Sequence, residues 1–329
     1  MSVFGGGVGS NPIQTPPIQP PDRIADNINI RHIHSMSKFR LRGRRRKNHE
    51  SAEGSVPLRS MVPNLITSMA ACGGITAIAI SATNYAKTLA NQQVGDRDWL
   101  LALVALLVAC VCDAMDGRVA RLLKCSSKLG AELDSLADFV NFGVAPAMFL
   151  YFWVLSGNLS LALPSKQALL AFALFYSMCD AFRLARFNTM LEQPTIPYWK
   201  HFFLGVPAPG GCWMVVTPVL LALSLPDLTG LRTIMQHPLF AMFMLFLVGA
   251  LMASRLPTIS LKSIHLTKKY MLPTTAMLIL LVAFLFTHFW LTLGVLGALY
   301  LLTVPFVSLA FLGVRAKYLR EQGTKEIGH

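Results

Sequence analysis

Long stretches without a charge set the strongest limit on what this chain can become. Trp99 to Cys112, Phe240 to Met252, Met277 to Phe289 and Leu291 to Leu302 each run without an Asp, Glu, Lys or Arg. Such runs lack the polar face that an amphipathic helix shows to water. They suit hydrocarbon, which a helix crosses with roughly 20 mainly apolar residues, each rising about 1.5 Å across about 30 Å. Composition agrees: 54% of the residues are hydrophobic and 14% charged, with a mean hydropathy of +0.52. An average soluble domain carries about 25% charged residues. The chain reads as an all-α, polytopic membrane protein.

Eight spans are expected, at 63–84, 99–121, 133–156, 167–187, 208–225, 237–253, 271–288 and 292–313. Breakers such as Gly157-Asn158, Gln193-Pro194 and Ser224-Leu-Pro226 separate them. The organisation that follows is a basic, disordered tail at 1–59, a transmembrane domain at 60–313 and a short C-terminal tail at 314–329. With a cytoplasmic N-terminus, 25 of the 29 Lys and Arg fall on the cytoplasmic side, leaving Lys87, Arg97, Lys166 and Arg232 outside. The positive-inside rule therefore puts both termini in the cytoplasm. An odd number of spans would break that pattern.

The first 60 residues hold no apolar core of the kind a secretory signal needs. Their run Lys38-Phe-Arg-Leu-Arg-Gly-Arg-Arg-Arg-Lys47 comes with no folded recognition module, so nucleic acid is not the expected partner. A topology-setting tail close to anionic lipid headgroups accounts for it. The six cysteines include no Cys-x-x-Cys pair, and His201, His237, His265 and His288 form no spaced pair. Zinc-type chemistry is thereby set aside.

Chemistry concentrates between Cys112 and Asp138. Asp113 ends an uncharged run that begins at Leu100. An acid within a span costs about 2.5–3.5 kcal/mol on insertion scales, so such residues are paired or functional. Asp113 and Asp116 are three apart and Asp134 and Asp138 four apart, so each pair shares a helix face. A nine-residue connection, Leu122 to Gly130, makes the two helices antiparallel neighbours whose acids converge at one end of a hairpin. Two unit charges about 4 Å apart repel by roughly 4 kcal/mol at an effective dielectric of 20. Divalent ions with oxygen ligands, Mg²⁺ or Mn²⁺, resolve that repulsion, and a pair of them suits transfer at phosphorus. Gly117 admits a ligand close to the helix, and Arg118 and Arg121 offer cationic donors to a diphosphate. The competing account is a solvated charged loop, the acids pairing with Arg118, Arg121, Lys124 and Lys128. It serves for any single aspartate, but not for all four at this spacing inside apolar helices.

The pattern Asp113-x-x-Asp116-Gly117-x-x-Ala120-Arg121, then Gly130-x-x-x-Asp134-x-x-x-Asp138, resembles without a gap the signature of the CDP-alcohol phosphatidyltransferases. The resemblance implies a six-helix core, here with two further helices, around a polar cavity open to the cytoplasm, and a homodimer. It implies that Asp113, Asp116, Asp134 and Asp138 bind two Mg²⁺ or Mn²⁺ ions, Asp138 also serving as general base. Gly117, Arg121 and Ser127 would hold the cytidine diphosphate moiety of CDP-diacylglycerol. Pro63-Asn64-Leu-Ile-Thr67 is similar to the family's phosphate-contacting helix start, which brings in Asn64 and Thr67; a proline-containing helix cap is the plainer alternative.

Glu132 to Ala147, Arg183-Leu-Ala-Arg-Phe-Asn188, Phe203 to Pro209 and, more loosely, Met252 to Lys262 resemble one branch, the membrane-type phosphatidylserine synthases. That likeness spans about 60–310 and implies a bacterial-type inner-membrane enzyme facing the cytoplasm, with L-serine as acceptor and phosphatidylserine and CMP as products. Two departures, Asn141 for a small serine and Gly210-Gly211 for an alanine pair, bear on the acceptor rather than the chemistry. Glycerol 3-phosphate, an inositol phosphate and choline are the alternative acceptors. An ion-coupled transporter is the alternative from another class, and it has no use for the spacing of Gly117, Ala120 and Arg121. The His-x-Lys-x-x-x-x-Asp nucleophile motif of soluble-type synthases is missing, which favours direct attack over a covalent intermediate. Arg183 and Arg186 serve either the acceptor or a lipid phosphate, or they are stop-transfer charges.

Overall fold

The computed structural model describes residues 58–125, 127–191, 202–225, 229–254, 257–259 and 270–303. The expected tails and the end of the eighth expected span lie outside these residues. Helices dominate. Among the described residues, four are long and apolar enough to cross a membrane: Met61–Leu89, Asp96–Leu122, Lys128–Gly157 and Leu163–Thr189. Shorter apolar helices follow at Ala208–Ser224, Pro238–Ala253, Met271–Thr287 and Phe289–Thr303. Every expected span thus coincides with an apolar helix, and the chain is a polytopic membrane protein.

Helix α1 (Leu58–Leu89) and helix α2 (Asp96–Leu122) form the first hairpin. Asn91 turns the chain at φ 55°, a conformation that Asn tolerates better than most side chains. The two helices cross on small residues: a Cβ on Gly73 would lie 3.0 Å from the Ala109 Cβ. Hydroxyls of Ser68, Thr76, Ser81, Thr83 and Thr88 each donate to the carbonyl four residues earlier, so none is left unsatisfied in hydrocarbon. On α2, Leu101, Val104, Val108, Val111 and Met115 form an exposed apolar stripe, while Trp99, Ala102, Leu103, Leu106 and Ala109 are buried. The exposed stripe has the apolar character of a lipid-facing surface.

The third span begins earlier than its sequence suggests. Helix α3 (Lys128–Asp138) leads through a π-helical turn (Phe139–Val144) into α4 (Ala145–Gly157). In the π turn the Ala145 N–H donates to the Val140 carbonyl, five residues back. The cause lies in Pro146, which has no N–H to offer the Phe142 carbonyl. The Tyr176 hydroxyl donates to that carbonyl at 2.8 Å, and the Ser177 hydroxyl reaches the Gly143 carbonyl at 3.0 Å. Both donors belong to α5 (Leu163–Leu191), so the turn is stitched to the fourth span. Helix α4 is the core of the bundle, with Phe149, Leu150, Trp153 and Val154 fully buried.

Strand β1 (Phe202–Leu204) pairs antiparallel with β2 (Pro257–Ile259), Phe203 opposite Thr258. This three-residue ribbon sits in the loops before the fifth and seventh spans and leaves the helical class unchanged. Gly205 closes it at φ 81°, where a side chain would be strained. Helices α6 (Ala208–Ser224), α7 (Thr229–Met235) and α8 (Pro238–Ala253) follow, then α9 (Met271–Thr287) and α10 (Phe289–Thr303). Short α7 was not expected. Its Arg232 donates to Asp96 at 2.9 Å, and beyond it the Gln236 carbonyl accepts from Asn158 at 2.8 Å. These contacts gather Arg97, Arg232 and the loop before Lys166 at the end of the bundle away from the Asp113–Asp138 hairpin. Among the described residues, nothing buries a residue of helix α9.

Replacing Tyr176 by Phe strands the Phe142 carbonyl in the buried core, at a cost of about 1–3 kcal/mol. A lower thermal midpoint for Tyr176→Phe than for the parent, in the same detergent, is the expected result. An unchanged midpoint would remove the hydroxyl from the account of the π turn.

Candidate active site

Helix α2 stops at Leu122 and α3 starts at Lys128, so the connection is shorter than the nine residues expected. Lys124 makes the turn at φ 52°. Ser127 caps α3, its hydroxyl oxygen accepting from the Gly130 N–H at 2.9 Å. Helix α1 passes alongside. A Cβ on Gly130 would lie 2.9 Å from the Asn64 Oδ1, so a glycine is what lets α1 and α3 come this close.

The turn brings the acids of the two helices together. Asp113 and Asp116 from α2 and Asp134 from α3 each offer a carboxylate oxygen, and the three oxygens lie within 4.8 Å of one another. Asp138, one turn beyond Asp134, sets its carboxyl against that of Asp113. Asp116 is 4% exposed and accepts from the buried Thr67 hydroxyl at 2.6 Å. Thr67 thus ties the first span to the cluster. Asp113 Oδ1 is buried without a hydrogen-bond partner among the described residues. An orphaned carboxylate oxygen amid three more acids fits a divalent cation with oxygen ligands far better than an empty space.

Beside the acids opens a cleft of about 160 Å³. Pro63, Asn64 and Thr67 line it from α1, Asp116, Gly117 and Ala120 from α2, and Cys125, Ser127, Gly130, Ala131 and Asp134 from the turn and α3. A Cβ on Gly117 would meet nothing within 4 Å, so its importance lies in the open space above it, not in packing. Because α1 begins at Leu58, Pro63 stands within the helix, neither capping it nor marking its start as both readings of this stretch expected. Arg121 is not among the lining residues; its Nε donates to the Gly117 carbonyl at 3.0 Å and its side chain is exposed.

The two arginines of the fourth span part company. Arg186 donates to the carbonyls of Ala253 at 2.9 Å and Ser254 at 3.1 Å, satisfying the end of α8. Arg183 points back into the bundle, 3.9 Å from Asp180 and within electrostatic reach of Asp138. Nearby, the Asn188 amide donates to the Ser135 hydroxyl at 3.0 Å and fastens α5 to α3. Sequence reasoning passed over Asp180, which is fully buried. The rule that picked out Asp113 would have found it, since Gln167 to Cys179 carries no charge before it.

Comparison with known proteins agrees with this geometry. The profile of the family described as CDP-alcohol phosphatidyltransferase matches residues 60–247, which takes in the whole acid hairpin and both arginines. The chain is similar to a protein of Mycobacterium leprae named CDP-diacylglycerol–serine O-phosphatidyltransferase, with 33% identity over 247 residues, 75% of this chain and 74% of that one. A protein of the same name from Mycobacterium tuberculosis strain H37Rv is 31% identical over 247 residues, 75% and 77% of the two chains. Another, from Helicobacter pylori strain 26695, is 36% identical over 160 residues, 48% and 60%. A profile that spans more than half of the chain and takes in the acid hairpin leaves one conclusion: this chain belongs to the CDP-alcohol phosphatidyltransferase family.

Proposed function

We propose that this chain transfers the phosphatidyl group of CDP-diacylglycerol to L-serine, giving phosphatidylserine and CMP. The observation that carries the proposal is the meeting of Asp113, Asp116 and Asp134 at the edge of a cleft that opens between the first three spans. Relatives that share about a third of its residues along three-quarters of its length bear the name of that activity, which supports serine over the other alcohols.

The division of labour follows from position. Asn64, Thr67, Gly117 and Ser127 line the cleft and receive the cytidine diphosphate group, with Arg121 one turn away from Gly117 to meet its charge. Asp113, Asp116, Asp134 and Asp138 are the ligands for two divalent ions, Mg²⁺ or Mn²⁺. When bound, these would polarise the phosphates and neutralise the leaving oxygen. Asp138 takes the proton of the serine hydroxyl. The hydroxyl oxygen forms a bond to the phosphorus that carries diacylglycerol, the bond from that phosphorus to the bridging oxygen breaks, and CMP departs with the electron pair. Arg183, beside Asp138, holds the acceptor, whereas Arg186 keeps the end of α8 in place.

Arg118, Arg121 and Lys124 stand at the acid end of the bundle, and Arg97 and Arg232 at the opposite end. This supports a cytoplasmic active site in a bacterial-type inner membrane, with 1–59 and 314–329 as cytoplasmic tails. A homodimer is part of the same reading.

Asp138→Asn is expected to lower the rate of CMP release by about 10²–10⁴-fold, the range of general base catalysis, while binding of CDP-diacylglycerol persists. Full turnover by that variant would rule out the base. Incubating the purified protein with CDP-diacylglycerol and, separately, radiolabelled serine, glycerol 3-phosphate, inositol phosphate and choline should label lipid with serine alone. Label from another alcohol would move the acceptor assignment and leave the family untouched.

A further inference from the structure

Asp180 and Arg183 lie together on α5, outside the group that gathers Asp113, Asp116 and Asp134. Asp180 is 0% exposed, and neither of its carboxylate oxygens has a hydrogen-bond partner among the described residues. A carboxylate so placed is costly unless something donates to it. Arg183 does not, since its nearest nitrogen is 3.9 Å away, too far for a hydrogen bond. Nor does the π turn: it turns Gly143 toward Asp180, where a Cβ would come within 2.7 Å of the Oδ2. The missing side chain there lets the carboxylate pack against the turn without receiving a hydrogen bond from it. Arg183 in turn has Asp180 on one side and feels Asp138, the proposed base, as well. One carboxylate in want of donors and the guanidinium beside it thus lie within electrostatic reach of Asp138, the proposed base.

We propose that Asp180 and Arg183 form the acceptor subsite and select a zwitterionic amino alcohol, Asp180 receiving the ammonium and Arg183 the carboxylate. This deepens the serine reading and rests on it. An ammonium brings three N–H donors, which the two orphaned oxygens of Asp180 accept, and a planar guanidinium matches a carboxylate in two parallel hydrogen bonds. The pair is balanced in charge, as a zwitterion is. A phosphorylated alcohol would set its negative charges against Asp180 and Asp138 with one arginine to offset them. Choline has no N–H to give Asp180 and no carboxylate for Arg183.

Three acceptors dissect the subsite: L-serine, 3-hydroxypropanoate, which lacks the ammonium, and ethanolamine, which lacks the carboxylate. Each would be assayed with CDP-diacylglycerol and the full-length protein. Asp180→Asn is expected to raise the KM for serine roughly 10- to 100-fold, the effect of losing one charged hydrogen-bonded pair. Its KM for CDP-diacylglycerol should stay within about twofold, and its preference for serine over 3-hydroxypropanoate should vanish. Arg183→Gln should mirror this, abolishing the preference for serine over ethanolamine, and it tests the subsite even if the Asp180 variant does not fold. Either variant that loses all three acceptors in equal measure, or keeps the parent's KM for serine, overturns the proposal. Should the parent protein itself label lipid from a phosphorylated alcohol and not from serine, the acceptor reading falls first, a result distinct from any variant's.

Discussion

Mutual repulsion among carboxylates in a place of low dielectric is the constraint around which this protein is arranged. Asp113, Asp116 and Asp134 put oxygens within 4.8 Å of one another, and Asp138 leans on Asp113. At such separations each pair of like charges costs on the order of 4 kcal/mol even with an effective dielectric of 20. Arg183 is the one basic side chain that Asp138 feels strongly among the described residues, and it is shared with Asp180. Such a cluster must shed charge, by taking up protons or by holding cations, and the chemistry of the donor set suits hard divalent cations.

The scaffold is spent on holding these acids still. Thr67 fixes the rotamer of Asp116 from across the helix pair. Gly130 lets α1 lie against α3, which closes one wall of the cleft. The π turn directly after Asp138 is a local departure from helical order, and α5 repairs it with Tyr176 and Ser177. Such bulges recur at functional sites, and here the turn also brings Gly143 against Asp180. Cluster, cleft and acceptor subsite are therefore mechanically joined: α5 stabilises the bulge, the bulge follows Asp138, and Arg183 lies two turns beyond Tyr176 on the same helix.

Much of this was legible in the sequence because the decisive contacts are local. Spans declare themselves by uncharged length, and Asp113 to Asp138 lie on two neighbouring helices where spacing of three and four fixes the faces. What escaped depends on partners far along the chain. The π turn needs Tyr176, 34 residues from Phe142, to receive the carbonyl that Pro146 leaves free. The early start of α3, the β1–β2 ribbon and the small helix α7 arise where tertiary contacts decide the outcome and apolar periodicity is silent. Asp180 was open to the rule that picked out Asp113, but with no second acid at helical spacing it did not stand out. The fold adds that it is buried and without a hydrogen bond among the described residues. The separate fates of Arg183 and Arg186, three residues apart, likewise depend on where α8 ends.

Binding of manganese to the purified, chelator-stripped protein tests the central claim most directly, read by electron paramagnetic resonance. If the acids exist to hold divalent ions, the signal of hydrated Mn²⁺ should disappear until two ions are bound per chain, and replacing Asp116 and Asp134 by Asn together should restore it. If the hydrated signal persists undiminished with the unaltered protein at millimolar Mn²⁺, the carboxylates are not a metal site and the account of the fold and of its chemistry fails.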